Sequence, residues 1–379
     1  MSIQSRPCSQ LTGEAARAAA AAVGGYAWWY VEVHDAAGRF GLTLILFAGS
    51  VFSPRYAARL RAGVETCGLE VPAVNFSFYE RTRDARPSAR RAWVMNEYPP
   101  AALALEADAV RVANTALRMP PGGPVTIELD EDTTRFFSRR GPRVQGRITV
   151  APPPPAPPPL YLGESARGAA HYWQPLAPHA AATVELQLGP RRVRFQGLAY
   201  LDRNYGSGRL EDTFSRWGWA HGFPAAPAPG AADAPAAAPD AGEALIVYNA
   251  VLLGGTSRQL CVRYGDSGRP PEVLSAERAP TPGALAAVDR DLFWLPVPRA
   301  FSAGPYTCRR LPGGTLEDTP FYARFAVNIE RTEEGPAAPA FAGVGEYLDL
   351  DRFRRRSLQY LLRYKTRYIA SVPAPGGVL

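Results

Sequence analysis

From residue 26 to residue 150 the chain is a succession of short apolar runs: YAWWYVEV, FGLTLILFAGSVF, VNFSFYE, RAWVMNE, VTIELDED and VQGRITV. Aromatic and β-branched residues dominate them, and Gly, Pro, Asn and Asp punctuate at short intervals. A period of two places successive side chains on opposite faces of a strand. The pattern therefore predicts antiparallel strands in a sandwich or barrel. It resumes with TVELQLG, VRFQGLAYLD and FSRWGWAHG, and again with ALIVYNAVLLGG, RQLCVRYG, TPFYARFAVNI and AGVGEYLDL. Only residues 351–369 have helical character, with Leu358, Leu361, Leu362 and Ile369 on one arc and Arg356, Arg363 and Arg367 opposite.

Two stretches interrupt the strand pattern. Residues 151–159 are almost pure proline, which lacks a ladder donor, so they read as a surface loop or stiff linker. Residues 224–242 are alanine, proline, glycine and aspartate, and read as a disordered insertion. The expected organisation is a tail or short helix over 1–23, a β-rich domain over 24–165, a second over 166–350, and a basic amphipathic helix with a tail over 351–379. One internal echo, RLEDTFSRWGWA from Arg209 and TLEDTPFYARFA from Thr315, is either a pair of equivalent strands in two related barrels or a coincidence.

Composition narrows the classes. With 379 residues, 46% of them hydrophobic, the chain has material for one large core or two smaller ones. The net charge of +7 comes from arginine, since Lys365 is the single lysine. Those arginines are dispersed, so they read as a solvated basic surface rather than a nucleic-acid patch. Cys8, Cys67, Cys261 and Cys308 form no C-x-x-C pair, which argues against a zinc or redox motif and for a reduced, intracellular protein. The longest apolar run, 40–52, falls short of the ~20 residues of a membrane span. The alanine run before Gly24 lacks the basic start of a signal peptide.

The chemistry-bearing candidates follow from alternation. In Tyr200-Leu201-Asp202-Arg203-Asn204, one strand face would carry Tyr200, Asp202 and Asn204. Read alone, Asp202 is either a turn-forming aspartate before Gly206 and Gly208 or a carboxylic acid in an apolar site. Tyr200 is either its hydroxyl donor or a barrel aromatic. His171 and Trp173 share a strand face in the same way, and each also fits a plain surface or core role. Trp217 and Trp219 form another alternating pair, as pocket lining or as core. Glu211, Asp212, Glu317 and Asp318 read as structural, paired with arginines such as Arg216 and Arg324.

The segments GGYAWWYVEV, FAGSVFSPRYA, HYWQPLAP, AYLDRNYGSGRLEDTFSRWGWA, TLEDTPFYARF and EYLDLDRF, in that order, resemble the carotenoid 1,2-hydratase (hydroxyneurosporene synthase) family. The resemblance implies an all-β fold of two lipocalin-like, calycin-type antiparallel domains packed together around an apolar pocket. It implies water addition to the terminal 1,2 double bond of an acyclic carotenoid such as neurosporene or lycopene, without a cofactor or metal. Asp202 would be the acid, with His171, Trp173 and Tyr200 in the active site and Asn204, Trp217 and Trp219 lining the pocket. The chain departs from the family in its polyproline stretch, in the 224–242 insertion, at Arg209 and at His221, which puts exact substrate specificity in doubt. Rival readings are a lipocalin-like cyclase, pericyclic or terpenoid, and a non-enzymatic carrier of apolar ligands. An apolar polyene must be reached without crossing bulk water. The expectation is therefore a cytoplasmic protein held peripherally on the inner membrane through 351–369, with no nucleic-acid partner.

Overall fold

The alternating runs pair into antiparallel sheets whose strands bury different side chains on each face. The structure is a computed structural model that describes residues 11–371 except 37, 81–88, 155, 225–242, 266–269, 279–287, 291–292 and 333–340. The expected insertion at 224–242 therefore lies outside the described residues, Pro224 excepted. Two compact units result, and no described helix is long and apolar enough to cross a membrane.

The strands of the first unit are β1 (Tyr26–Asp35), β2 (Phe40–Ala48), β3 (Ala73–Glu80), β4 (Ala89–Glu97), β5 (Leu103–Leu105), β6 (Ala109–Val112), β7 (Thr115–Arg118), β8 (Val125–Arg135), β9 (Arg139–Val150), β10 (Leu160–Glu164), β11 (Ala170–Leu188) and β12 (Arg191–Gly206). They form one curled sheet in the order β4-β3-β2-β1-β12-β11-β9-β8-β7-β6-β5, with β10 on β11. On β1, Ala27, Trp29, Val31 and Val33 join a core with Leu42, Leu44, Leu46, Phe76, Phe78 and Leu201. Each large apolar side chain buried this way stabilises the fold by roughly 1.5–3 kcal/mol. The alternate residues Tyr26, Trp28, Tyr30 and Glu32 occupy the other face and are buried as well. Burial on both faces explains why this run is apolar nearly throughout.

The domain boundary expected near residue 165 is not where the chain divides. Strand β11 pairs with β9 and with β10, so the polyproline stretch is a loop within one sheet rather than a linker. Gln174 Nε2 donates to the Pro157 carbonyl at 2.7 Å and ties that loop down. The first unit continues to Arg209, and the second runs from Leu210 to Gln359 together with Glu80–Arg90. Of the two alternatives for residues 1–23, a tail or a short helix, the described part takes the helix. That part, 11–23, forms helix α1 (Glu14–Ala21), with Leu11, Ala16 and Ala20 fully buried in the core. Trp29 Nε1 and Arg203 Nη1 both donate to the Leu11 carbonyl, at 2.8 Å each.

The second unit carries β13 (Phe214–Pro224), β14 (Ala244–Leu252), β15 (Ser257–Tyr264), β16 (Glu272–Arg278), β17 (Val288–Arg290), β18 (Pro296–Pro298), β19 (Ala300–Ala303), β20 (Tyr306–Asp318), β21 (Tyr322–Arg331) and β22 (Phe341–Asp349). The main sheet runs β16-β15-β14-β13-β22-β21-β20-β19, over a core that includes Val247, Val297, Phe325 and Ile329. The two echoed segments fall in this one sheet, where β13 and β21 flank β22. They are not equivalents in separate barrels.

The C-terminal stretch is not one amphipathic helix. After the short helix α2 (Pro54–Arg61) in the first unit, the next are α3 (Leu350–Phe353) and α4 (Arg356–Leu362). The chain then turns into β23 (Arg367–Tyr368), parallel to β4. Ile369 N donates to the Glu97 carbonyl at 2.9 Å. The open backbone groups of the β4 edge outcompete a fifth helical turn, and Thr366, Tyr368 and Ile369 suit a strand. Arg367, expected on the basic helix face, sits instead 3.8 Å from Asp132.

One buried carboxyl makes stability depend on pH. Glu131 of β8 accepts from Tyr98 at 2.5 Å, Asn96 at 2.7 Å and Thr115 at 2.9 Å. Burial outweighs these donors and pushes its pKa from 4.5 up to about 7. A folded value above the unfolded one stabilises the fold fully below about pH 4.5, and that contribution is lost as pH rises through about 7. Glu131→Gln should therefore flatten the stability profile in this window, where the wild type loses up to about 3 kcal/mol from this group. Denaturant unfolding of both proteins at each pH checks this, and parallel profiles would refute it.

Candidate active site

Asp202 lies on β12 with 3% exposure, inside the sheet of the first unit. Three side chains hold its carboxyl. Trp173 Nε1 donates to Oδ2 at 2.9 Å and the Tyr200 hydroxyl to the same oxygen at 2.7 Å. Asn204 Nδ2 donates to Oδ1 at 3.1 Å. The strand period puts Tyr200, Asp202 and Asn204 on one face. Registry does the rest, pairing Trp173 with Asn204 and His171 with Gly206 across β11 and β12.

The neighbouring strand β1 completes this face. Its register pairs Tyr30 with Asp202, Glu32 with Tyr200 and Tyr26 with Gly206. Tyr26 shares a 2.9 Å hydrogen bond with His171 Nδ1, and the two rings stack at 5.7 Å. Gly206 is required there, because a Cβ would come within 2.3 Å of His171 Nδ1. Burial pushes the His171 pKa down to about 3, so the imidazole is neutral at working pH. It can pass or accept a hydrogen bond but cannot be the resting acid. Next along β1, the Tyr30 hydroxyl donates to Glu32 Oε2 at 2.6 Å, and His34 Nε2 donates to Glu32 Oε1. Glu32 is 1% exposed, whereas the His34 side chain is 24% exposed. The face thus presents two buried carboxyl groups, each held by a tyrosine, and a histidine through which one of them reaches solvent.

The sequence model of the carotenoid hydratase CrtC family matches residues 44–368. The chain belongs to the carotenoid hydratase family. An acyclic carotenoid 1,2-hydratase of Thiocapsa roseopersicina is 31% identical over 343 residues, covering 90% of this chain and 73% of that one. Those of Rubrivivax gelatinosus and Cereibacter sphaeroides are 30% and 29% identical, over 80% and 84% of this chain and 65% and 95% of theirs. Membership makes the chain an enzyme of the hydro-lyase class, as the motifs suggested. Among solved structures, a Nitrosomonas europaea protein assigned as AttH superposes with TM-score 0.55 at 14% identity, over 86% of this chain and 92% of its own. Kievitone hydratase of Nectria haematococca superposes with TM-score 0.50 at 10% identity, over 90% and 96%. These likenesses bear out the all-β, lipocalin-like class.

Within this family member, the geometry brings together Asp202, Tyr200, Trp173 and Asn204. Asn204, expected as pocket lining, is instead a donor to the carboxyl. His171 shares the face but is held by Tyr26. Trp217 and Trp219 lie on β13 of the second unit. Trp217 packs edge-on against Phe214 and Tyr248, and Trp219 stacks on His221. The sequence does not single out Tyr26, Tyr30 or Glu32, and it gives His34 no role. Their signal was present in YAWWYVEVHD, where a glutamate occupies an alternate position of an otherwise apolar strand. Among the described residues, no group of three or more His, Cys, Asp or Glu is arranged to hold a metal ion.

Proposed function

We propose that the chain adds water across the terminal 1,2 double bond of an acyclic carotenoid, with Asp202 as the proton donor. The observation that carries this reading is the double donation onto Asp202 Oδ2 in a buried, aromatic setting. Two donors on one oxygen stabilise the negative charge that the carboxyl acquires when it gives up a proton. As the proton leaves, charge grows on Oδ2, and the Trp173 and Tyr200 hydrogen bonds strengthen. They therefore act mainly on the transition state. The proton goes to carbon 2, a tertiary cation forms at carbon 1, water attacks it, and the resulting oxonium loses a proton.

Glu32 is the second carboxyl in this scheme and takes the oxonium proton, passing it to solvent through His34, while Asp202 regains a proton from water before the next turnover. In the β1–β12 register, Glu32 and Asp202 are diagonal neighbours, a separation of roughly 7–8 Å between backbones. This diagonal crosses the one on which the Tyr30 and Tyr200 rings meet edge-on at 6.0 Å, so each carboxyl lies beside the tyrosine that holds it. Neutral His171, held by Tyr26, orients the water. The aromatic rings of Trp173 and Tyr200 face the cation with π density.

Turnover of lycopene in isotopically labelled water tests the reading. In deuterium oxide, each reacted end should carry one non-exchangeable deuterium at carbon 2. In oxygen-18 water, the label should appear in a hydroxyl on carbon 1. Product oxygen drawn from molecular oxygen, or deuterium at any other carbon, would overturn it.

A further inference from the structure

The β8–β9 hairpin of the first unit ends in an arrangement that the catalytic face does not explain. Its tip reads Arg135-Phe136-Phe137-Ser138-Arg139-Arg140. Phe136 and Phe137 are 63% and 60% exposed, among the most exposed large apolar residues described. Phe137 and Ser138 both have left-handed backbone, with φ of 62° and 56°. Left-handed backbone suits Gly or Asn, and a phenylalanine adopts it only under strain. The fold thus bears strain to hold an aromatic ring outward, where it adds nothing to the core.

The tip is braced rather than loose. Ser138 N donates to the Tyr364 carbonyl at 3.1 Å, and Ser138 Oγ donates to the Arg363 carbonyl. Tyr364 stacks on Phe136 at 6.2 Å and meets Phe137 edge-on at 5.5 Å. Tyr360, 53% exposed, packs against Tyr364 at 5.9 Å. Exposed Arg135, Arg139 and Arg140 flank the tip in sequence, and exposed Arg363 lies over the Tyr360 ring at 5.3 Å. Arg140 is paired with Asp132 at 2.8 Å, which still leaves the tip cationic. A solvated loop has no use for two bare phenylalanines, and a protein partner is usually met through a broader apolar face. Protruding aromatics beside exposed arginines match a bilayer, whose interface takes the rings and whose anionic headgroups meet the guanidinium groups.

We propose that the β8–β9 hairpin tip, with Phe136 and Phe137 braced by Tyr364 and exposed Arg135, Arg139 and Arg363 close by in chain and contact, is a docking surface for an anionic lipid bilayer. It replaces the single amphipathic helix expected from residues 351–369 with a preformed aromatic spike. Its binding can be measured without substrate, so its failure is separate from any failure of the proposed hydration.

The test is co-sedimentation of the full chain with vesicles of phosphatidylcholine, with and without one-third phosphatidylglycerol. The wild type should bind the anionic vesicles, and less so at high salt, by about fivefold for each basic side chain engaged. Phe136→Ser with Phe137→Ser should reduce partitioning at least tenfold, with an unchanged thermal transition and unchanged turnover of detergent-dispersed substrate. As a check independent of these truncations, Phe136→Trp should show quenching by brominated lipid beyond that of the wild type. Equal binding by the double variant, or no extra quenching, would overturn the proposal. So would a wild type that self-associates through this patch without binding vesicles, because the occupant would then be a second copy of the chain.

Discussion

Replacing Asp202 with asparagine should abolish hydration while leaving the first unit folded. The amide oxygen can still accept from Trp173 and Tyr200, and Asn204 can turn its own oxygen toward the new amide nitrogen. The buried hydrogen bonds are therefore conserved in number. What disappears is the transferable proton. Loss of a positioned general acid alone costs typically 10²–10⁴-fold. Here His171 is neutral and Glu32 serves as the base, so neither replaces the lost acid. The expected loss is therefore at the top of that range, about 10⁴-fold or more. Tyr200→Phe should cost less, on the order of 10²–10³-fold, because it removes one of two donors to the developing carboxylate. Turnover of dispersed lycopene by each variant, with circular dichroism as a folding check, decides the matter. An Asp202→Asn protein that keeps more than a tenth of wild-type turnover would remove Asp202 from the acid role.

Much of this site is legible because strand periodicity is local. The alternation in Tyr200-Leu201-Asp202-Arg203-Asn204 needs no tertiary information, and neither does that of His171 and Trp173. Glu32 is harder to see, since its significance comes from the β1–β12 register, which lies between residues far apart in the chain. The unit boundary is misread for a related reason. Proline-rich composition signals loop and linker equally, and only the pairing of β9 and β10 onto β11 distinguishes them. At the C-terminus, helical spacing in 351–369 competes with an open sheet edge that the sequence of that stretch cannot reveal. The hairpin tip carries its aromatics in plain view, yet FFSRR becomes informative only once the strands on either side make it a protrusion.

Arg324→Met should be the most damaging of the conservative-volume changes in the second unit. Arg324 is 1% exposed on the interior strand β21. Its register pairs it with Glu317 on β20 and with Glu346 on β22, so one guanidinium lies between two carboxylates on adjacent strands. Nε donates to Glu346 at 2.9 Å and Nη1 to Glu317 at 3.3 Å. This is also the arginine pairing expected for the LED acids, and it places Glu317 among structural rather than catalytic groups. Methionine fills a similar volume but leaves two carboxylates facing each other without a cation. Breaking a buried ion pair by removing one partner costs about 3–5 kcal/mol, because a charge stays buried and uncompensated. Glu346 retains 14% side-chain exposure, which lets water screen one end and favours the lower half of that range. Replacing all three charges with methionine or leucine should recover most of the loss, since well-packed apolar residues often equal or exceed a buried ion network. Denaturant unfolding of the single and triple variants measures both effects. A single variant within 1 kcal/mol of wild type at neutral pH would show that the arginine is there for packing and not to neutralise the two acids.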